Sequence, residues 1–258
     1  TPDTSNNPIQ VRLNWVTPEQ QTAPPARALA AARAAKTAIV FVWRRDSPLF
    51  ALPGDQNKLI EEIAAVNPNT IVVMNVSQPV AMPWINRVKG VLQMWWTGDE
   101  GGWATANVLL GRADPAGRLP FTWPKKLTDM AAEDPAHPER TAKGVDGKTT
   151  FSDGIFVGYR WFDKNGTEPL FPFGFGLSYT AFNYSGLHVI RAKDGGLDVS
   201  FNLKNTGNVA GDEVPQIYLG GPENKPANAQ FAVRALCGFD RVHLNAGESR
   251  TVTVHVPL

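Results

Sequence analysis

The chain is poor in cysteine: Cys237 stands alone among 258 residues, so no internal disulfide can form. Neither this cysteine nor the four histidines fall at the spacings of zinc sites. An excess of charge of one sign is also lacking, since 25 lysines and arginines stand against 24 aspartates and glutamates. Without a basic excess, the chain lacks the electrostatic footprint of a nucleic-acid-binding protein. We expect no metal site, no cofactor and no nucleic-acid partner.

Long apolar runs and several common site motifs are absent as well. No stretch of about 18 consecutive apolar residues occurs, so no membrane span is expected. The N-terminal TPDTSNNPIQ is polar and has neither the charged nor the apolar region of a signal peptide. The sequence has no GxGxxG after a strand, no GxxxxGK(S/T) and no GxSxG. These absences argue against nucleotide binding and against a serine-hydrolase nucleophile elbow.

Apolar periodicity in the first part of the chain alternates between strands and helices. The expected strands cover 9–15, 37–43, 70–75 and 90–95, and the expected helices cover 24–36, 55–66 and 101–111. The run TAIVFVW (37–43) is almost wholly apolar, which is typical of a strand buried on both faces. Strands that alternate with helices predict βαβ units, so we expect an α/β fold with a mostly parallel sheet.

Right-handed βαβ crossovers bring the loops that follow the strands to one edge of such a sheet. These loops cover 43–54, 75–83 and 95–102. Ligands of open α/β sheets bind at this carboxyl edge. The sequence therefore predicts that three loops distant in the chain lie side by side and border a ligand site.

The third loop, within QMWWTGDEGGWATA, combines tryptophans with two acids. Asp99 and Glu100 are candidates for an acid, a base or a metal ligand. The alternative is that one of them caps the helix that starts near Gly101, where an acid complements the helix dipole. Trp96 lies at the mouth of the loop and is the better candidate to stack on a ligand, whereas Trp103 lies inside the helix and is expected in the core.

The other two loops carry polar groups of different kinds. Arg44, Arg45 and Asp46 follow the first strand, and adjacent arginines suit hydrogen bonding to hydroxyls or to an acid. The alternative for them is a surface ion pair. Asn75 and Gln78 add neutral hydrogen-bonding groups at the end of the second strand. LPGDQ (52–56) indicates a turn and a helix start, which is a structural role.

The second half of the chain changes pattern twice. From 112 to about 180 it is rich in proline, glycine and aromatic residues, which indicates an extended connecting segment. From 181 onwards, five or six short runs with period-two alternation predict a β-sandwich, fewer than the usual seven strands of an immunoglobulin-like fold. We expect an α/β domain at 1–124, a connecting segment at 125–180 and an incomplete β-sandwich at 181–258.

Several long motifs in this sequence closely resemble glycoside hydrolase family 3 β-glucosidases. They are ALPGDQNKLIEEIAAVNPNTIVVMNVSQPVAMPWI, VKGVLQMWWTGDEGGWATANVLLGRADPAGRLPFTWPKKL, GIFVGYRWFD and LFPFGFGLSYT, within a resemblance that runs from about Ala38 to Leu258. The resemblance implies a three-layer α/β sandwich domain followed by a fibronectin type III-like domain. In this family an N-terminal (β/α)8 barrel precedes them, and we expect that barrel to be missing from this chain.

The resemblance also implies how catalysis is divided. The family's nucleophile is an aspartate in an SDW-type motif of the barrel, and this chain has no SDW. Many relatives place the acid/base glutamate in a pattern like EGxDR, whereas this chain has VWRRDSPLFALPG, with no glutamate between Ala38 and Gln56. Either Asp46 acts in place of that glutamate, or an acid comes from elsewhere, or the motif was lost. On this chain we expect Asp46 as the first acid/base candidate and Glu100 as the second. The expected substrate-binding residues are Trp43, Arg44, Arg45, Trp96 and Asp99.

The function expected from this resemblance is part of a retaining β-glucosidase acting on terminal non-reducing β-D-glucosyl residues. The partners would be the barrel domain or a second polypeptide and a β-glucoside or oligosaccharide substrate, and a homodimer stays open. Secretion or a periplasmic location follows from the resemblance alone. The alternative function is a non-catalytic carbohydrate-binding or dimerisation scaffold.

Overall fold

A computed structural model of the chain describes residues 26–44 and 49–257. The strand expected at 9–15 and the residues Arg45 and Asp46 therefore lie outside the described residues. The chain divides into two compact units, with the boundary between Trp96 and Thr97. The domain limits expected at 124 and 180 stay predictions.

The first unit contains a small parallel sheet with helices, as the alternating pattern predicts. Its elements are α1 (Ala26–Ala34), β1 (Ala38–Arg44), α2 (Gln56–Val66), β2 (Thr70–Val76), a 3-10 turn (Ile85–Arg87) and β3 (Gly90–Gln93). The strands pair in the order β1-β2-β3, and both pairs are parallel. In this register Val40 lies beside Val72, and Val72 lies beside Val91. The prediction of an α/β fold is thus confirmed.

The helices pack through the apolar positions that the sequence pattern marks. On α2, Ile60, Ile63 and Ala64 are buried at helical spacing. Asn67 ends this helix, and its Nδ2 donates to the carbonyl oxygens of Ala32 at 2.8 Å and Ala35 at 3.0 Å. One buried amide thereby joins the end of α1 to the end of α2, at the amino end of β2.

The prediction that β1 is buried on both faces is wrong. Its side chains alternate between buried and exposed along the whole strand. Ile39, Phe41 and Trp43 form an exposed row, while Val40 and Val42 are buried. The reason is that the described residues leave this second face of β1 uncovered, as the exposure of Ile39, Phe41 and Trp43 shows.

The second unit begins with α3 (Gly101–Leu109) and continues into the segment that the sequence marks as connecting. This segment contains three 3-10 turns (Leu127–Asp129, Ala131–Glu133 and Pro138–Arg140) and a short helix, α4 (Tyr159–Asn165). The indole of Trp161 donates to the carbonyl oxygen of Asp129 at 3.1 Å, and the Arg140 guanidinium lies 5.2 Å from the Trp161 ring centre. The segment therefore packs around its own aromatic cluster and is more ordered than the sequence indicates.

The C-terminal part of this unit is antiparallel β structure, as expected. Its strands are β4 (Phe182–Arg191), β5 (Leu197–Asn205), β6 (Gly211–Glu213), β7 (Gln216–Gly220), β8 (Arg234–Phe239), β9 (Val242–Leu244) and β10 (Ser249–Val256). They form one three-stranded sheet, β10-β5-β4, and two pairs, β6-β9 and β7-β8. The count exceeds the expected five or six, because two predicted runs each divide in two, at Pro215 and at Asp240.

The sandwich has its own apolar core. Alternate residues of β5 (Val199, Phe201 and Leu203) point into it. Residues from β9 and β10 complete the buried set: Val242, Leu244, Val252, Val254 and Val256. This arrangement follows from period-two alternation, in which every second side chain faces the same side of the sheet.

Candidate functional site

The carboxyl ends of β1, β2 and β3 lie at the same edge of the parallel sheet. The register places Trp43 beside Asn75 and Met74 beside Gln93, so the strands end at neighbouring positions. This edge is where open α/β sheets bind ligands. The structure thus brings three of the expected residues, Trp43, Arg44 and Trp96, to one edge or directly beyond it.

The end of β1 is held by an amide side chain. Gln56, in the first turn of α2, accepts a hydrogen bond from the Trp43 N–H at 2.9 Å and donates to the Trp43 carbonyl at 3.0 Å. It also donates to the Pro53 carbonyl at 2.9 Å. The Trp43 backbone is therefore fixed, while its indole stays 61% exposed. An exposed indole on a fixed backbone suits stacking on an apolar ligand face.

Arg44 follows Trp43 but points inward. Its side chain is only 1% exposed, and one Nη donates to Gln78 Oε1 at 3.4 Å. Arg44 is therefore not a surface residue, and the surface ion pair left open by the sequence stays a prediction for Arg45 and Asp46. A direct role for Arg44 in substrate binding stays a prediction, as does any role for Arg45 and Asp46, which lie outside the described residues.

The segment after β3 turns sharply before the boundary of the unit. Trp95 has a left-handed backbone with φ of 58°, which is uncommon for a bulky residue. Asn75 Nδ2 donates to the Trp95 carbonyl at 3.3 Å, and Gln93 Nε2 donates to the Val76 carbonyl at 2.6 Å. After this turn the indole of Trp96 is 63% exposed. Trp96 therefore has the exposure that stacking on a ligand needs.

The acidic loop belongs to the second unit, which begins at Thr97. Asp99 and Glu100 are both exposed, and Glu100 occupies the N-cap position of α3. Its side chain makes no capping hydrogen bond, so the expected side-chain cap is wrong, although the helix start is right. Both carboxylates still lie at the positive end of the helix dipole. Their catalytic and substrate-binding roles stay predictions.

Trp103 corrects another expectation. Its side chain is 68% exposed, so it does not belong to the core. An apolar residue inside a helix is buried only if its face is covered, and no described residue covers this one. The pattern of GGWATANVLL does not give this information, because it is apolar on more than one face.

Two amides at the sheet edge have roles that the sequence pattern does not reveal. Gln56 lies in LPGDQ, where a glutamine directly at a helix start after a tight turn is the only local signal. Gln93 lies inside a predicted strand and carries no signal of its own. Asn75 is marked only as a polar group at a strand end. Their partners are backbone atoms fixed by strand register, which sequence spacing does not specify.

The described ranges, 26–44 and 49–257, contain neither a candidate metal site nor a candidate membrane-spanning helix. No group of three or more His, Cys, Asp or Glu side chains there is arranged to hold a metal ion. Likewise, no helix in these ranges is long and apolar enough to cross a membrane. Within the first unit, the chemistry available at the sheet edge is stacking by indoles and hydrogen bonding by amides.

Comparison with known proteins gives a matching family model for each part of the chain. Residues 6–179 match the model of the glycosyl hydrolase family 3 C-terminal domain, and residues 213–258 match the fibronectin type III-like domain. A β-glucosidase of Rhizobium radiobacter is 40% identical over 243 residues, covering 90% of this chain and 29% of the relative. The thermostable β-glucosidase B of Acetivibrio thermocellus is 40% identical over 211 residues, covering 81% of this chain and 27% of the relative.

Solved structures agree. A β-glucosidase from Streptomyces venezuelae, in complex with D-glucose, superposes with a TM-score of 0.86 at 44% identity, covering 94% of this chain and 31% of the other. β-Glucosidase 3B from Thermotoga neapolitana, in complex with glucose, gives 0.79 at 32% identity, covering 89% and 33%. The chain thus spans about a third or less of the proteins it matches. With a family model that covers most of its residues, the chain belongs to the glycosyl hydrolase family 3 C-terminal domain family and continues into a fibronectin type III-like domain.

Proposed function

We propose that this chain serves as the C-terminal part of a retaining β-glucosidase that hydrolyses terminal non-reducing β-D-glucosyl residues. The observation that carries the proposal is the pair of exposed indoles, Trp43 and Trp96: Trp43 lies in the last part of β1, and Trp96 lies after the carboxyl end of β3. Indoles at this edge can stack on the apolar face of a sugar ring. The relatives named β-glucosidase, and the neighbours solved with glucose, support this choice of substrate.

In this proposal the chain supplies pocket-wall loops and the barrel domain supplies the nucleophile. Retaining hydrolysis needs two carboxyl groups about 5–5.5 Å apart, one as nucleophile and one as acid/base. Asp46 is the first acid/base candidate on this chain, and Glu100 is the second. Arg45 and Asp99 are further candidates for hydrogen bonds to sugar hydroxyls, since charged groups make the stronger bonds.

The partner is accordingly an N-terminal (β/α)8 barrel, in the same protein or as a second polypeptide. Homodimer formation and a secreted or periplasmic location complete the proposal. Native mass spectrometry and co-purification test the partner, and a monomeric 28.1 kDa species that hydrolyses substrate alone would contradict it.

Sugar binding by the sheet edge is tested with Trp43→Ala and Trp96→Ala. Their matched control is Phe41→Ala. Phe41 is equally exposed (60%) and lies on the same face of β1, two residues before Trp43 and therefore farther from the carboxyl edge of the sheet. We expect each edge variant to weaken binding of glucose or an aryl β-glucoside about tenfold, which equals about 1.4 kcal/mol, and the control to bind normally. Equal effects of all three variants would count against the edge as the site.

Hydrolysis is tested separately, by assaying an aryl β-glucoside with the chain and its barrel partner together. Loss of turnover in Asp46→Asn but not in Glu100→Gln would support the first acid/base candidate, and the reverse would support the second. The anomer released first, followed by NMR, tests retention. Binding of sugar without turnover would favour the non-catalytic carbohydrate-binding alternative, and absence of binding would refute both.

A further inference from the structure

The carboxyl ends of all three parallel strands are bonded by primary amide side chains. Gln56 bonds the backbone of Trp43 at the end of β1, Gln93 bonds the carbonyl of Val76 at the end of β2, and Asn75 bonds the carbonyl of Trp95 after β3. Each bond joins residues that are more than ten positions apart in the chain. Gln93 and Asn75 therefore connect the ends of β2 and β3 beyond the last pair of the sheet ladder, and Gln56 connects the end of β1 to helix α2.

Gln56 acts where β1 has no neighbouring strand. β1 pairs with β2 on one side only, and within the described residues nothing pairs with its other side. The N–H and the carbonyl of Trp43 are both bonded by the Gln56 amide, which has one acceptor and two donor hydrogens for this purpose. The side chain thus replaces a strand partner at the position that presents the Trp43 indole.

Asn75 has the central place among these amides. It lies on the middle strand, directly beside Trp43 in the register, and its Nδ2 donates to the Trp95 carbonyl at 3.3 Å. Trp95 is the residue with left-handed backbone that redirects the chain just before Trp96. A bulky residue keeps such a conformation only where its surroundings hold it. The bond from Asn75 is a direct contact of that kind.

We propose that Asn75 is a positioning residue: it holds Trp95 in its left-handed turn and thereby fixes the Trp96 indole on the same sheet edge as Trp43. This role requires an amide N–H donor at position 75. An aspartate of the same shape would place a carboxylate oxygen against the Trp95 carbonyl oxygen, with no hydrogen between them. The sugar-binding consequence rests on the proposed function, whereas the positioning of Trp96 does not.

The test uses the whole chain labelled with 5-fluorotryptophan, with the Trp96 resonance assigned through Trp96→Phe. Asn75→Asp is expected to shift or broaden the Trp96 fluorine resonance and to leave the resonances of Trp123 and Trp161, in the second unit, unchanged. Asn75→Ala, which lacks the donor without adding charge, is expected to give the same pattern. If either variant leaves the Trp96 resonance at its wild-type position and width, the proposal is wrong.

The matched control is Asn67→Asp. This residue is also an asparagine that donates to backbone carbonyl oxygens, but it lies at the opposite end of β2. Its substitution is expected to lower the unfolding midpoint without moving the Trp96 resonance. A general loosening of the first unit would move the resonance in both variants, and that outcome would refute a specific role for Asn75.

A second experiment tests whether Asn75 acts on Trp96 through the backbone conformation of Trp95. With glycine at 95, the left-handed conformation is intrinsically accessible and needs no holding. In the Trp95→Gly background, Asn75→Asp is therefore expected to shift the Trp96 resonance several-fold less than in the wild-type background. An equal shift in both backgrounds would show that Asn75 acts elsewhere.

Titration with an aryl β-glucoside separates this proposal from the proposed function. If wild-type chain binds the glucoside, Asn75→Asp is expected to weaken binding about tenfold, and Asn67→Asp is expected to bind normally. If no form binds sugar while the fluorine pattern holds, the proposed function fails and the positioning role stands. If sugar binds and Asn75→Asp has neither effect, the positioning role fails and the function stands.

Discussion

Two adjacent glycines at the start of α3 should respond in opposite directions to the same substitution. A Cβ at Gly101 would fall far inside contact distance of the Thr97 Cβ and Oγ1, whereas a Cβ at Gly102 would meet nothing within 4 Å. Gly101 is buried and Gly102 is exposed, and neither has positive φ. The pair therefore isolates one steric contact in the loop that carries Asp99 and Glu100.

The magnitude follows from two opposing effects. Replacing glycine by alanine in a helix stabilises it by about 0.5–1 kcal/mol, and this gain applies to both positions. Overpacking against a short, branched side chain costs about 1–3 kcal/mol, and this cost applies at Gly101 alone. We expect Gly102→Ala to raise the free energy of unfolding, and Gly101→Ala to lie about 1–3 kcal/mol below Gly102→Ala.

Urea unfolding followed by circular dichroism measures both variants. The same pair in a Thr97→Gly background provides the control, because the atoms that meet the new Cβ are then gone. The difference between the two variants should largely vanish in that background, as a double-mutant cycle requires for a direct contact. Equal stability of Gly101→Ala and Gly102→Ala in the wild-type background would refute the reasoning.

Three further changes test the core and one surface ion pair. Leu203→Ala, in the buried row of β5, should cost about 2–5 kcal/mol in unfolding experiments. Trp84→Phe removes the donor at 2.8 Å from the Oδ1 of half-buried Asn57, and loss of this hydrogen bond should cost about 0.5–1.5 kcal/mol. The His255 ring donates hydrogen bonds to the carboxylates of Asp198 and Asp194, and these bonds raise the pKa of His255 above its ordinary 6.5. The resulting stabilisation is complete below the unfolded-state pKa and is lost as pH rises through the folded-state pKa, so His255→Gln should reduce that pH dependence of the unfolding midpoint.

The arrangement of the first unit was predictable from sequence because periodicity and crossover handedness are local rules. The strands at 37–43, 70–75 and 90–95 appear within about two residues of their predicted limits. The exposure of β1 was not predictable, since an apolar run does not indicate whether a neighbour covers its second face. The same reason explains Trp103, which has the right pattern for a core residue but is left uncovered by the residues that the structure describes.

Short elements account for the other differences between the structure expected from the sequence and the observed structure. Helix α4 has seven residues, too few for a periodic signal, but it is flanked by Gly158 and Gly166, both with positive φ. Glycines at both ends of an aromatic stretch were the available signal. Pro215 separates β6 from β7 because proline has no N–H to donate to a ladder. The amide bonds at the sheet edge depend on strand register, which no local rule supplies.

The sheet edge combines two features that lower the stability of the fold. A left-handed backbone at a non-glycine residue such as Trp95 costs about 1–2 kcal/mol. A large apolar side chain left in water, as at Trp96, forgoes about 1.5–3 kcal/mol of burial. Trp84, Trp123 and Trp161 are buried, so the fold can bury an indole, although Trp103 on α3 is exposed as well. Backbone strain at Trp95 and side-chain exposure at Trp96 occur at adjacent residues. Departures of this kind from local folding rules cluster at functional sites. Folding alone would be better served by glycine at 95 and a polar residue at 96, so the arrangement favours a ligand-contacting role for this edge.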